Sequence, residues 1–456
     1  MSLTSDTRVL SAQSHIKQAV ARTPLKFGAV VVETCPFCEV KVEVENREGR
    51  KAEGYGGIFL MDLWAFPDPS VSHQRKNEAM QEVTRRFCRK VTEYTKFSHP
   101  IDIFWSLREE LKRIGEEVSK DKKLDKNLPF LASLVSASPI DAAIHDGFGK
   151  VNEIDTYKGY GKEFMEHDLS YYLGKKFKGK YISNYIREDY LSEIPVFHLV
   201  GGGDKLRESE VDRADPQDGL PNSLDKWIRR DGLFCLKIKL KGTDLSWDLT
   251  RIEEVASIAH EVQKGKELFF SIDTNEQCKS PDYVVELLSK LKEDYPQYFK
   301  KLLYIEQPTE RDLTHHRFDM SDISKLKPVI VDESLTGIEE FELAMELNWS
   351  GIALKTCKCH SENLLFVAKA SEEGVSYSVQ DLTNPHIALI HSVGLAARTY
   401  PVKGVEANSC QFFPEASKEE AEVHPKIFRR EDGMISTQSI KGDGFGYQME
   451  KIRKEI

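Results

Sequence analysis

The sequence predicts an α/β protein, with a modified (β/α)8-type, TIM-like barrel behind a smaller α+β domain. Between residues 194 and 408, eight short apolar segments alternate with segments of helical spacing, which is the period of βα units in a parallel sheet. Eight units is the number that closes a barrel. In front of them, β-rich segments come first and helical segments follow, an order typical of an α+β domain.

The boundaries between these parts follow from the change of pattern. Residues 1–190 are predicted to form the α+β domain, and residues 150–190 within it, rich in Tyr, Lys and Gly, form an irregular connection. Residues 191–412 are predicted to form the barrel. The charged tail, residues 413–456, is expected to return and pack on the first domain.

The first domain is expected to contain an antiparallel sheet over residues 24–60 and helices over residues 72–150. One helix is predicted to begin after Ser138, because serine is a good N-cap and Pro139 would then occupy the first helical position.

The composition is that of an ordinary globular protein. The chain has 456 residues, of which 40% are hydrophobic, and a net charge of −10. The negative charge argues against non-specific binding to nucleic acid, and no apolar run reaches the length of a membrane span. The eight cysteines are scattered and no apolar signal segment opens the chain, so we expect free thiols and a cytoplasmic location.

Charged residues end several of the predicted barrel strands, where barrel enzymes place their active sites. Lys237 and Lys239 end the second strand, two residues apart and therefore on the same face. Two such like charges depress each other's pKa, which is how a lysine becomes a base near neutral pH. The later strands end in Asp273 with Asn275, Glu306, Asp332, Lys355, Asp381, and Glu406 with Asn408.

Three of these acids lie on consecutive strands: Asp273, Glu306 and Asp332. Neighbouring strands are about 4.8 Å apart, so three carboxylates there repel one another unless a cation joins them. Oxygen ligands of this kind suit Mg2+. With lysines on the strands at either side, the predicted layout can remove the proton α to a carboxylate while the cation stabilises the charge that develops.

Motifs along the whole chain carry a resemblance to a known family. They are LKIK (236–239), SIDTNE (271–276), YIEQP (304–308), VDES (331–334) and ALKT (353–356) in the barrel, and RTPLKFG (22–28), VEVENREGRKAEGYGG (42–57) and SPIDAAIHDGFGK (138–150) in the first domain. With these motifs the chain resembles the enolase superfamily. It is most similar to the mandelate racemase and muconate lactonizing enzyme branch, in its subgroup with a lysine on both sides of the substrate. The resemblance implies an N-terminal capping domain completed by the C-terminal tail, Mg2+ as cofactor, a small-molecule carboxylate as substrate, and a homo-oligomer.

The resemblance also implies a role for each strand-end residue. Lys239 and Lys355 would be the acid/base groups on opposite faces of the α-carbon, with Lys237 lowering the pKa of Lys239 or touching the substrate carboxylate. The cap loops near Thr23–Phe27 and Gly54–Ile58 would close over the substrate. The implied Mg2+ ligands are Asp273, Glu306 and Asp332.

The distal substrate contacts depart from the family's patterns. Ile352 stands where relatives with a His–Asp pair have the aspartate, which leaves the pair of His386 incomplete. Dipeptide epimerases hold the substrate ammonium with Asp-x-Asp after strand eight, where this chain has Glu406 and Asn408. Asp381 could bind a substrate hydroxyl or ammonium, or cap the next helix. The candidate substrate-binding residues are Asn275, Asp381, His386, Glu406 and Asn408.

The predicted function is Mg2+-dependent abstraction of the α-proton through an enediolate, with racemisation or epimerisation as the expected outcome. Dehydration of a hydroxy acid or acid sugar is the alternative on the same site. A Schiff-base aldolase barrel that uses Lys239 or Lys355 does not account for three aligned acids. A scaffold barrel without activity does not account for the complete set of acids and lysines.

Overall fold

The first domain is built on a three-stranded antiparallel sheet. The computed structural model describes residues 3–28 and 30–453. The strands are β1 (Thr7–Phe27), β2 (Val30–Asn46) and β3 (Lys51–Phe59), in the order β1-β2-β3. The sheet begins earlier than predicted, because β1 pairs with β2 from Thr7 onwards. Residues 7–20 are mostly polar, so their pattern does not signal a strand.

Three long helices, α1 (His73–Glu93), α2 (Pro100–Asp121) and α3 (Phe130–Val151), follow the sheet. The predicted helix start at Ser138 is wrong, because Pro139 lies inside α3. A proline lacks the N–H that would bond the carbonyl four residues before it, here that of Val135. Ser138 Oγ donates to this same carbonyl at 2.9 Å, so Ser138 satisfies the helix interior instead of capping its start.

The second part of the chain is a closed barrel of eight parallel strands. Each strand pairs with the next in chain order, and the last pairs back with the first through Val405 with Val196 and Glu406 with Phe197. The predicted fold class is confirmed. The strands are β4 (Glu193–Val200), β5 (Cys235–Lys239), β6 (Phe269–Asp273), β7 (Leu302–Glu306), β8 (Val329–Val331), β9 (Gly351–Lys355), β10 (Ser376–Gln380) and β11 (Val405–Glu406). The helices between them include α4 (Leu224–Asp231), α5 (Leu245–Val262), α6 (Pro281–Asp294), α7 (Ser321–Leu326), α8 (Ile338–Glu346), α9 (His360–Glu373) and α10 (His386–Arg398).

The capping domain lies over the carboxyl ends of the barrel strands. Its buried apolar cluster continues onto barrel residues at or beyond those ends, among them Leu199, Cys357 and Ala388. Apolar burial therefore holds the two parts together at the rim where the predicted site lies. In the part of the chain that the structure describes, no helix is long and apolar enough to cross a membrane.

The C-terminal tail contacts both parts of the chain. Its strand β12 (Met434–Ser436) pairs antiparallel with the start of β4. Further along, the Phe445 N–H donates to Asp146 Oδ1 on α3 at 2.9 Å. The tail therefore contacts both the barrel and the capping domain. The domain boundaries at residues 190 and 412 remain predictions.

Candidate active site

The strand-end residues predicted to act in catalysis or metal binding lie at one rim of the barrel. In the register of the parallel strands, Lys239 is opposite Asp273, and Asp273 is opposite Glu306. Asp332 directly follows β8, and Lys355 ends β9. We call six of the buried charged side chains at this rim the floor: Lys237, Lys239, Asp273, Glu306, Asp332 and Lys355.

Lys237 lies deepest in the floor and joins three carboxylates. Its Nζ lies 2.7 Å from Glu306 Oε1, 2.8 Å from Glu406 Oε2 and 3.2 Å from Asp273 Oδ2. Burial acts to lower the pKa of Lys237, but the carboxylates, led by Glu306, raise it well above its usual value. The expectation that the two lysines depress each other's pKa is therefore wrong for Lys237, because its nearest neighbours are acids.

Lys239 makes a more accessible contact on the same strand. Its Nζ lies 2.5 Å from Asp273 Oδ2 and 3.0 Å from Asn275 Oδ1. Burial acts to raise the pKa of Asp273, but Lys239 and Lys237 outweigh it and lower that pKa to about 2. Lys239 is 8% exposed and Lys237 only 1%, so a molecule in the cavity above reaches Lys239 first.

Lys355 is the counterpart of Lys239 across the floor. Its Nζ lies 2.5 Å from Asp332 Oδ2. A second lysine, Lys358, holds the same acid, since its Nζ lies 3.0 Å from Asp332 Oδ1 and also donates to the Asp332 carbonyl. Burial acts to raise the pKa of Asp332, but the two lysines lower it well below its usual value. Lys358 was not predicted as a site residue. The signal in the sequence that could have indicated it is its position three residues after Lys355.

A small cavity lies above the floor, and the capping domain closes it. Lys239 and Lys355 both line this cavity. Their strands, β5 and β9, are four apart in a barrel of eight, so the two lysines approach from opposite sides. We call the capping-domain side chains that close the cavity the roof: Leu25, Phe27, Met61 and Trp64.

Only one of the two predicted cap loops contributes to the roof. Thr23–Phe27 supplies Leu25 and Phe27, whereas Gly54–Ile58 lies inside β3 and does not line the cavity. A Cβ at Gly56 would lie 2.0 Å from the Pro139 carbonyl oxygen. The glycines therefore let β3 approach α3 closely, and the residues just after β3 form the rest of the roof.

Trp64 ties the roof to the floor. Its indole Nε1 donates to Glu333 Oε1 at 2.9 Å, and Lys355 Nζ lies 4.7 Å from the centre of its ring. Burial, followed by the charge of Asp332, raises the pKa of Glu333 to about 8. Among the described residues, Glu333 Oε2 has no hydrogen-bond partner. Trp64 was not predicted, because a tryptophan in another domain carries no sequence sign of what it contacts.

Three of the predicted substrate contacts are bonded within the protein. Glu406 Oε1 accepts from Asn408 Nδ2 at 3.0 Å, and Glu406 Oε2 faces Lys237. Asp381 accepts the backbone N–H groups of Thr383 at 2.8 Å and Asn408 at 2.9 Å. Burial raises the pKa of Asp381 to about 7. Asp381 therefore stabilises the turn after β10, and its carboxylate does not line the cavity.

His386 lies away from the cavity, and Asn275 lies beside it. The His386 Nδ1 atom is 3.1 Å from Glu420 Oε1, and its ring centre is 4.5 Å from that of Phe37. Neither His386 nor these two neighbours lines the cavity, whereas Asn275 does. The geometry supports Asn275 as a substrate contact and does not support His386.

Left-handed backbone follows three barrel strands at this rim. The φ angle is +43° at Asn275, +28° at Gln307, +55° at Leu382 and +58° at Thr383. A β-branched residue such as threonine rarely adopts a positive φ. Strain of this kind gathers at functional sites, where the surrounding structure holds it, and here Asp381 holds the turn. As a result, Leu382 and Thr383 both line the cavity.

The floor has the donor chemistry that suits Mg2+. Its carboxylates are buried, and two of them, Asp273 and Glu306, already share one cation, the ammonium of Lys237. Within residues 3–28 and 30–453, no group of three or more His, Cys, Asp and Glu side chains is arranged to hold a metal ion. The acids thus fit Mg2+ in ligand type and charge, and an ion held by them would replace their contacts with the lysines.

A barrel of eight strands with a capping domain, and with acids and lysines at the carboxyl ends of its strands, defines a class of enzymes. A model of the family described as enolase C-terminal domain-like matches residues 220–452, which is more than half of the chain. The chain therefore belongs to the enolase superfamily, in its mandelate racemase and muconate lactonizing enzyme branch, and is an enzyme of that branch. No curated protein matches the chain.

Solved structures share the fold over nearly their whole length. A dipeptide epimerase from Enterococcus faecalis, complexed with Mg and a dipeptide, is 15% identical with a TM-score of 0.61, covering 96% of this chain and 99% of its own. An N-succinyl Arg/Lys racemase from Bacillus cereus is 16% identical with a TM-score of 0.61, covering 98% and 97%. A mandelate racemase/muconate lactonizing protein from Herpetosiphon aurantiacus is 14% identical with a TM-score of 0.61, covering 98% of both chains. At these identities the likeness establishes the fold.

Proposed function

We propose that the chain is a Mg2+-dependent racemase or epimerase, which removes the proton α to a substrate carboxylate and returns a proton to the opposite face. The observation that carries the proposal is that Lys239 and Lys355 line one cavity from opposite strands. Each of them also bonds an acid proposed as a metal ligand, Asp273 and Asp332 respectively. A lysine on both sides supports the corresponding subgroup of the branch.

The proposed roles follow from position. Bound Mg2+ would supply positive charge at the substrate carboxylate as the α-proton leaves. Lys239 and Lys355, released from their acids, are placed to take the proton on one face and to deliver one on the other. Lys237 is held by Glu406 as well, so it remains a fixed ammonium beneath the reacting carbon. The proposed ligands are Asp273, Glu306 and Asp332.

Deuterium exchange tests the proposal. In D2O with Mg2+, the α-proton of a carboxylate substrate is expected to exchange without loss of the compound, as followed by proton NMR, and EDTA is expected to stop the exchange. Asp273→Asn should weaken Mg2+ binding by about tenfold or more, measured by calorimetry. Asp322→Asn is the matched control, since Asp322 is exposed and pairs with Lys325. Unchanged Mg2+ affinity in Asp273→Asn would contradict the ligand assignment.

The same measurements distinguish the alternatives. Loss of water from a hydroxy acid to give a keto acid would identify a dehydratase. Borohydride trapping of a substrate on Lys239 or Lys355, without any effect of EDTA, would identify a Schiff-base aldolase. Racemisation or epimerisation instead predicts that both configurations at the α-carbon appear from either starting stereoisomer.

A further inference from the structure

The upper walls of the cavity are apolar. The polar side chains that line it belong to the floor or to the strand ends beside it, as Asn275 and Thr383 do. Whatever part of a substrate extends away from the lysines therefore meets hydrocarbon. The apolar lining residues are Leu25, Phe27, Met61 and Trp64 from the roof, and Leu199 and Leu382 from the barrel.

Among the described residues that line these walls, no charged group is free to pair with a charged distal group. The charged lining residues are Lys237, Lys239, Lys355 and Glu406. Both carboxylate oxygens of Glu406 are engaged, with Lys237 at 2.8 Å and with Asn408 at 3.0 Å. The three lysines pair with the proposed metal ligands. A substrate ammonium or a second substrate carboxylate would thus be buried without a partner, which is strongly unfavourable.

The cavity is also small. Its free volume is about 40 Å3, while a single water molecule needs roughly 10–15 Å3 on the same measure. The space above the floor is therefore narrow in this arrangement, and a compact substituent fits it better than a bulky one.

Resting on the proposed function, we propose that the substrate is a monocarboxylate whose substituent beyond the α-carbon is compact and uncharged. A dipeptide with a free amino group, or an N-succinyl amino acid with its second carboxylate, places a charge against the apolar walls. Two of the structural neighbours act on compounds of these kinds, a dipeptide and N-succinyl Arg/Lys. This chain thus combines their fold with a different choice of substrate.

Three matched acids test this choice. N-propionyl-alanine, alanyl-alanine and N-succinyl-alanine share the α-carbon and the carboxylate, and their distal groups are uncharged, cationic and anionic. Calorimetry with the Mg2+-loaded protein is expected to give N-propionyl-alanine a Kd at least about tenfold lower than the Kd of either charged acid. Proton NMR in D2O then gives the exchange rate at the same α-carbon for each acid.

A pair of variants tests whether the roof makes the choice. Phe27 is a partly exposed roof residue at the edge of the capping domain, so a longer charged side chain can be placed there. Phe27→Arg is expected to improve the Kd of N-succinyl-alanine by about tenfold relative to N-propionyl-alanine, because it supplies the missing partner charge. Phe27→Met, which changes the shape of the side chain without adding charge, should leave the order of the three acids unchanged.

The proposed substrate class and the proposed reaction are contradicted by different results. If either charged acid binds as tightly as N-propionyl-alanine, or tighter, the substrate class is wrong whatever the exchange rates are. If the order of binding holds but no bound acid exchanges its α-proton, proton abstraction is contradicted and the substrate class stands. If Phe27→Arg does not lower the Kd of N-succinyl-alanine relative to that of N-propionyl-alanine more than Phe27→Met does, the roof does not select the distal group. The inference is then overturned.

Discussion

The floor and the roof of the cavity are stabilised by different forces. In the floor, buried charges neutralise one another: Lys239 lies 2.5 Å from Asp273 and Lys355 lies 2.5 Å from Asp332. The roof is mainly hydrocarbon from a separate domain, and Trp64 links it to the barrel through a hydrogen bond to Glu333, which follows the floor residue Asp332. The proposed reaction chemistry and the proposed substrate choice thus lie in separate parts of the chain. Changes in the floor should alter the reaction, and changes in the roof should alter what binds.

The largest expected effect tests the floor. Lys239→Ala should slow α-proton exchange from one face by about 10²–10⁴-fold, the usual contribution of a general acid or base. The fold should remain intact, because Asp273 keeps its contact with Lys237. Proton NMR exchange of each enantiomer measures the effect, with thermal unfolding as the check on folding.

Lys241→Ala is the matched control for this experiment. Lys241 is the next lysine along the chain, is exposed, and pairs with Asp244. Its substitution should leave both exchange rates unchanged. If Lys239→Ala exchanges both enantiomers as fast as the wild type, the assignment of Lys239 is wrong.

The second prediction tests whether the ammonium group of Lys237 stabilises the acids that surround it. Lys237→Met leaves Asp273, Glu306 and Glu406 without their shared ammonium. Removing one partner from a buried ion pair costs about 3–5 kcal/mol, so the free energy of unfolding in urea at pH 7 should fall by that amount. Lys369→Met is the comparison, since Lys369 is also buried and pairs with two acids, but those acids, Glu342 and Glu373, are in contact with solvent. An equal loss in both variants would show that the floor acids do not depend on Lys237.

A smaller effect tests the link between roof and floor. Trp64→Phe keeps the aromatic packing but removes the N–H that bonds Glu333, a loss of about 1–3 kcal/mol for a buried acceptor. Trp349→Phe is the matched control, because Trp349 is buried and its Nε1 has no partner among the described residues. Urea unfolding of both variants measures the difference. If Trp349→Phe costs as much as Trp64→Phe, the bond to Glu333 does not stabilise the closed cavity.

The last prediction concerns how the capping domain is attached to the barrel. Asp141 on α3 accepts from the backbone N–H and the hydroxyl of Ser361 on α9, both at 2.8 Å. Burial raises the pKa of Asp141 to about 7. The unfolded chain releases this proton near pH 4, so the native state binds the extra proton between pH 4 and 7. Its contribution to stability is complete below pH 4 and is lost as the pH rises through about 7.

Asp141→Asn isolates this contribution. The free energy of unfolding of the wild type, minus that of the variant, should fall by up to about 1.4 kcal/mol per pH unit between pH 5 and 7, and stay level above that. Urea unfolding at pH 5, 6, 7 and 8 measures the difference. A difference that does not change with pH would contradict the raised pKa of Asp141.

The barrel and the placement of its strand-end charges could be predicted from the sequence. The βα period implies parallel strands, and parallel strands bring their last residues to one rim, so Lys239, Asp273 and Glu306 were expected to be neighbours. The contact of Lys358 with Asp332 was missed because it depends on the turn after β9. The helix start at Ser138 was predicted wrongly, because local cap signals do not reveal that the apolar stretch before them continues the same helix.

The order of the strands and the residue type at each strand end follow from the sequence alone, because both are local consequences of hydrophobic period and alternation. The folded structure was needed to show which acid each lysine holds, what closes the cavity, and that Asp381, Glu406 and Asn408 are engaged within the protein. These contacts depend on residues far apart along the chain. Trp64 and Glu333 are 269 residues apart, and no local pattern encodes a contact between two domains.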